Sequence, residues 1–111
     1  MTDLPLEITV ADAATALRTA SPPLLLDCRT PEEYATARIA SALLIPMQEL
    51  AERVAEIDAW RARQIIVHCH HGVRSLRVTH WLRDRGYENV SSLRGGIEAW
   101  SLEVDPQVPR Y

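Results

Sequence analysis

Gln64-Ile65-Ile66-Val67-His68-Cys69-His70-His71-Gly72-Val73-Arg74-Ser75 is the stretch on which the reading of this chain turns. Five residues rich in β-branched side chains read as a strand and run into a tight loop over Cys69 to Arg74. A helical pattern follows from about Ser75 to Arg85, with Val78, Trp81 and Leu82 on one face and Gly86 as the stop. A buried strand that feeds a helix is the repeating unit of a parallel sheet.

The alternation continues in both directions. Leu24-Leu25-Leu26-Asp27-Cys28, set between Pro22-Pro23 and Pro31, is a short apolar run of the kind a two-sided buried strand needs. Thr30 caps the helix that follows, Pro31 suits its first position, and Glu33 completes a capping box. Leu43-Leu44-Ile45 is a second strand, stopped by Pro46, and Leu50, Val54 and Ile57 mark an amphipathic helix from Met47 to about Trp60. Upstream, Thr9 and Asp12 cap an alanine-rich helix over about 10–19, and residues 1–7 read as a leader. Downstream, Val90-Ser91-Ser92-Leu93 is a strand, and Gly95-Gly96 opens a short helix containing Trp100. Trp60, Trp81 and Trp100 read as packing residues. The expectation is one α/β domain with a mostly parallel central sheet flanked by helices, a core over about 6–101, and an irregular tail over 102–111.

Composition narrows the function classes. A net charge of -3 gives no general basic balance, so nucleic acid is not an expected partner. The first residues show no basic n-region and no long apolar run, so neither a signal peptide nor a membrane span is expected. The two cysteines, Cys28 and Cys69, make no disulfide framework and lack zinc spacing; in a reducing cytoplasm, the expected location, both rest as thiols. Cys28 ends an apolar strand and reads as buried rather than as a redox partner of Cys69.

In open parallel sheets, sites lie beyond the carboxyl ends of the strands, where Asp27 and Cys69 fall. Cys69 meets the start of a helix, whose N–H groups favour an anion. Gly72 lets the loop turn, and Arg74 adds positive charge at its rim. These features lower a thiol pKa from its free value of about 8.5 and make Cys69 a nucleophile near neutral pH. Arg74 has two expected roles, binding an anionic donor and bonding the loop carbonyls. His70 and His71 flank the mouth, where either protonated ring attracts an anion. With only Cys69 beside them, no metal site is expected. Asp27 and Arg29 read as supporting residues, more readily as an ion pair or loop cap than as part of the chemistry, because a carboxylate near Cys69 raises its pKa.

Cys69-His70-His71-Gly72-Val73-Arg74-Ser75 resembles the active-site loop of the rhodanese-like domain family, C-x-x-G-x-R-[ST]. Leu26-Asp27-Cys28-Arg29 with Pro31-Glu32-Glu33-Tyr34 resembles the family's early D-x-R…E-[EF]-[YF] segment. Leu93-Arg94-Gly95-Gly96-Ile97-Glu98-Ala99-Trp100 resembles its closing L-x-G-G-[IV]-x-[AE]-W segment. One stretch departs: the family's G-H-[IV]-x-G-[AS] is here Ala37-Arg38-Ile39-Ala40-Ser41-Ala42.

The resemblance implies a three-layer domain and a sulfurtransferase that moves sulfane sulfur through a Cys69 persulfide. The loop residues His70, His71, Gly72, Val73, Arg74 and Ser75 would form the substrate site, with no cofactor. It implies a small anionic donor such as thiosulfate and a thiol or protein acceptor. A sulfur-relay module fed by a protein partner is the alternative reading, and a non-catalytic binding domain stands behind it. A small phosphatase or arsenate reductase is disfavoured by loop length. Such phosphatases resemble this loop with C-x5-R, whereas four residues separate Cys69 from Arg74 here.

Overall fold

Alternate residues of a buried strand point to opposite sides of the sheet, and here each side meets its own core. A computed structural model describes residues 5–111. Five strands, β1 (Glu7–Ile8), β2 (Leu24–Asp27), β3 (Leu43–Leu44), β4 (Gln64–His68) and β5 (Asn89–Leu93), form one sheet in the order β1-β5-β4-β2-β3. All four pairings are parallel. The register places Asp27 opposite His68 and Val67 opposite Ser92, so the carboxyl ends of the three central strands lie level.

The helices are α1 (Val10–Leu17), α2 (Pro31–Thr36), α3 (Leu50–Arg53), α4 (Val73–Asp84) and α5 (Gly96–Glu103). Leu26, Ile65, Val67 and Val90 pack with Leu50, Ile57, Val78 and Leu82, which puts α3 and α4 on one face. Leu25, Ile66 and Leu93 pack with Val10, Ala13, Ala14, Ile97 and Trp100, which puts α1 and α5 on the other. Three layers result, as expected for the α/β class. Among the described residues, no helix is long and apolar enough to cross a membrane.

Several local expectations change. Residues 1–4 of the expected leader lie outside the described residues, and Glu7–Ile8 joins the sheet edge as β1. Two residues are too few to carry a strand period. The amphipathic stretch 47–60 is a composite of 3₁₀ turns at Met47–Glu49 and Val54–Trp60 around the short α3, and Ile57 departs from helical angles (φ -114°, ψ 16°). Leu50 and Ile57 still reach the core, so burial decides this segment rather than helical hydrogen bonding. The residues after α5 are irregular in backbone but packed: Val108 is buried in the second core, and Arg110 pairs with Glu98 at 2.6 Å.

The departing turn is accommodated by one strained residue. Ala37 is extended (φ -158°, ψ 139°), which any residue adopts. Ser41, where the family pattern has its second glycine, has φ 73°. That left-handed conformation brings Cβ against the following carbonyl and costs about 1–2 kcal/mol.

Candidate active site

β4 ends at His68, and the chain turns through Gly72 (φ 108°) into α4. The turn curls around the sulfur of Cys69, which is 1% exposed. Gly72 N–H donates to Sγ at 3.1 Å and Ser75 N–H at 3.3 Å. The Ser75 hydroxyl also lies 3.3 Å from Sγ and 2.7 Å from the Ser92 hydroxyl of β5. With Ser92 donating to Ser75, the Ser75 proton is directed at an ionised sulfur.

Together these groups hold the Cys69 thiol down at about 4. The Cys28 sulfhydryl contributes most, followed by the Ser75 hydroxyl, the Ser75 N–H and the Gly72 N–H, all working against burial. Cys69 is therefore held as a thiolate at neutral pH by the donors around its sulfur.

The loop rests on the start of α5. Ile97 N–H donates to the Cys69 carbonyl at 2.9 Å and Glu98 N–H to the His70 carbonyl at 3.2 Å. Gly96, at φ 60°, makes this approach possible: a Cβ there would lie 2.4 Å from the His70 oxygen and 2.5 Å from the Cys69 oxygen. The Gly95-Gly96 segment and the cysteine loop, far apart in sequence, are one structural unit.

Arg74 departs from its expected place. Its guanidinium donates to both Glu33 carboxylate oxygens, at 2.6 and 3.0 Å, while the carbonyls of Cys69 and His70 are bonded by α5. Arg74, then Tyr111 and the Thr30 N–H hold the Glu33 carboxyl well below the usual carboxylate range, against its burial. Glu33 thus caps α2 and pairs with Arg74 at once. The Tyr111 hydroxyl donates to Glu33 at 2.7 Å and accepts from Arg29 at 2.9 Å, and its ring stacks 3.9 Å from His70. His70 also stacks on His71 at 3.9 Å. Burial, aided by His71, pushes the His70 pKa down, so the neutral ring is favoured and its attraction for an anion is less than expected.

Asp27 and Arg29 form a fully buried pair beneath the loop. Arg29 donates to both Asp27 oxygens at 2.9 and 2.7 Å, and also to the Ala37 and Glu33 carbonyls and Tyr111. All five guanidinium hydrogens have acceptors, which is how a buried arginine is tolerated. His68 is buried beside this pair, and desolvation keeps its imidazole neutral. Val73 is 67% exposed at the start of α4 and contributes backbone rather than side chain.

The structure brings together Cys69, Gly72 and Ser75, and holds Arg74, His70 and Tyr111 at the rim. Ser92, Gly96 and Tyr111 join the loop although they are not among the expected site residues, and Cys28, weighed as a partner of Cys69 but read as a buried strand end, shares its core cluster. Ser92 carried one signal, a hydroxyl on the same strand face as buried Val90. Tyr111, in an irregular segment, carried none.

The rhodanese-like domain model matches residues 9–103. A sulfurtransferase of Allochromatium vinosum is 40% identical over 85 residues, covering 77% of this chain and 78% of that one. The thiosulfate sulfurtransferase GlpE of Coxiella burnetii is 34% identical over 77 residues, covering 69% of this chain and 70% of that one. The adenylyltransferase and sulfurtransferase MOCS3-2 of Zea mays is 33% identical over 95 residues, 81% of this chain but only 20% of that protein. Among solved structures, a rhodanese-related protein from Thermoplasma volcanium superposes with a TM-score of 0.81 at 30% identity, covering 96% of this chain and all (100%) of that one. Fold, loop and relatives agree, and the chain belongs to the rhodanese-like domain family of sulfurtransferases.

Proposed function

We propose that Cys69 carries sulfane sulfur as a persulfide between a small anionic donor such as thiosulfate and a thiol or protein acceptor. The convergence of two N–H groups and the Ser75 hydroxyl on the Cys69 sulfur carries this reading. The thiolate attacks the outer sulfur of thiosulfate, the S–S bond breaks, and sulfite departs with the electron pair. The persulfide anion stays within the ring of donors. An acceptor thiolate then attacks the outer sulfur, and Cys69 leaves as the thiolate, for which its low pKa suits it. The steps need no metal or organic cofactor, and the chemistry suits a reducing cytoplasm.

A second reading is a relay module that takes persulfide sulfur from a partner protein. The engagement of Arg74 by Glu33 favours it, because that pair leaves less free positive charge at the mouth for a dianion. The kinship with the Zea mays protein supports it too.

Intact mass distinguishes the two. After incubation with thiosulfate, a gain of roughly 32 Da, absent in Cys69→Ser and removed by cyanide, is the expected result. No gain from thiosulfate but a gain from a low-molecular-weight persulfide would favour the relay module. No gain from either would overturn sulfur transfer by Cys69.

A further inference from the structure

The outer face of α4 carries side chains that the sulfur cradle does not use. Val73 opens the helix beside Gly72 and is 67% exposed. Arg77 and Trp81 follow at spacings of four, so the three lie along one helical face that leads away from the loop. Beside this face is a groove of about 180 Å³, lined by Met47, Leu50, Ala51, Arg77, Val78 and Trp81. Leu50 and Val78 are buried, and Met47 and Trp81 pack against the core cluster that contains Cys69, so the groove has an apolar floor continuous with the core under the sulfur. Met47 N–H donates to the Cys28 carbonyl at 3.0 Å, which fixes one wall at the carboxyl end of β2, the sheet end that carries the reactive loop.

The arginines of α4 differ in what they do. The Arg83 guanidinium donates to the Val90 carbonyl at 2.9 and 2.8 Å and to the Pro5 carbonyl at 2.8 Å, away from the groove. Arg85 lies 3.8 Å over the Trp81 ring. Arg77 lines the groove, and among the described residues no carboxylate pairs with it, whereas Arg53, Arg61, Arg74, Arg94 and Arg110 each hold one. Neither Glu49 nor Glu52 of the opposing segment lines the groove. An apolar trough with an uncompensated cation at its edge is complementary to an apolar side chain next to a carboxylate. Cys69 is 1% exposed, so a partner gains from a second attachment point that holds its sulfur over the loop.

We propose that this groove docks a segment of the protein that exchanges sulfur with Cys69, with an apolar side chain inserted between α3 and α4 and a carboxylate on Arg77. The inference rests on the sulfur-transfer reading and deepens it, naming the partner as an acidic, apolar-anchored protein segment. The reach is short. From Val73, α4 rises about 6 Å to Arg77 and about 12 Å to Trp81, a span that two to four extended residues cover.

The test uses the folded chain and an electrophilic peptide, iodoacetyl-Gly-Gly-Leu-Asp amide, against the same peptide with Ser for Leu or Asn for Asp. The Cys69 thiolate attacks the methylene carbon, a C–S bond forms, and iodide leaves with the electron pair of the C–I bond. Adducts are counted by intact mass with Cys69→Ser as the blank. Each rate is divided by the iodoacetamide rate of the same protein, which cancels any change in the thiolate itself. The leucine peptide is expected to react about tenfold faster than the serine peptide, because leucine burial is the larger contribution. Aspartate should exceed asparagine by about threefold, as an exposed ion pair gives. Arg77 and Ala51 are exposed, so substitutions there leave the core intact. Arg77→Gln should abolish the aspartate preference and keep the leucine preference; Ala51→Glu, which fills the groove with a carboxylate, should abolish both. Equal rates across the peptides overturn the proposal, and so does an aspartate preference that survives Arg77→Gln. A dimer seen by light scattering and dissolved by Ala51→Glu would give the groove to a second copy of this chain and also overturn it. Alkylation needs no sulfur donor, so the expected preferences without sulfur uptake from thiosulfate or a persulfide would leave the docking site standing and count against sulfur transfer instead.

Discussion

Replacing Gly96 by alanine tests whether the start of α5 is a support for the active-site loop. The new Cβ would sit 2.4 Å from the His70 oxygen, 2.5 Å from the Cys69 oxygen and 2.6 Å from the His70 carbonyl carbon. These are backbone atoms and cannot rotate away. Restoring ordinary contact requires the loop and α5 to part by about 1 Å, a displacement that can cost on the order of 10²-fold when it falls on a reacting group. The separation would stretch the 2.9 Å Ile97–Cys69 and 3.2 Å Glu98–His70 bonds. Alanine at φ 60° adds a left-handed penalty of about 1–2 kcal/mol, and overpacking typically adds about 1–3 kcal/mol. The expected loss is about 2–5 kcal/mol, a fall in Tm of roughly 10–25 °C. Urea unfolding gives the first number, and the pH midpoint of Cys69 alkylation reports whether the donors have moved. A loss below about 1 kcal/mol with an unchanged midpoint would show that α5 lies beside the loop without supporting it.

Two further substitutions test other parts of the framework. Ser41→Gly removes the strain of φ 73° at a small cost in unfolded-chain entropy, so stability should rise by about 0.5–1 kcal/mol by urea unfolding; a decrease would show that the Ser41 side chain has a compensating role. Glu33 is the pH-sensitive member of the rim. Its folded pKa lies below the unfolded value of about 4.3, so its contribution is fully present above that pH and fades as pH falls toward the folded pKa. Glu33→Gln should therefore be less stable than the native sequence at pH 6, with the gap narrowing by about 1 kcal/mol by pH 3. Parallel stability profiles in acid would remove Glu33 from the acid response.

Local order was legible because it is written over a few neighbouring residues. The strands at 24–27 and 64–68 are short apolar runs between breakers, and Thr30-Pro31-Glu32-Glu33 specifies the α2 cap that the structure shows in full. The stretch 47–60 was the weaker case. Its apolar spacing fits a helix, but the same residues reach the core equally well from a bent 3₁₀ path, and pattern alone does not separate the two.

The α/β alternation, the nucleophile candidate and the glycine turn beside it are local properties of the chain, since periodicity, caps and loop length act over fewer than about a dozen residues. Tertiary structure decided what surrounds the sulfur. Arg74 finds Glu33 across 41 residues, Ser75 finds Ser92 across 17, and Tyr111 reaches Glu33 across 78. Those meetings follow from the strand order β1-β5-β4-β2-β3, which sets Cys28 beside Cys69 and Ser92 beneath α4. A parallel strand can enter a sheet at several positions with the same local pattern, and only the packing of both faces selects one.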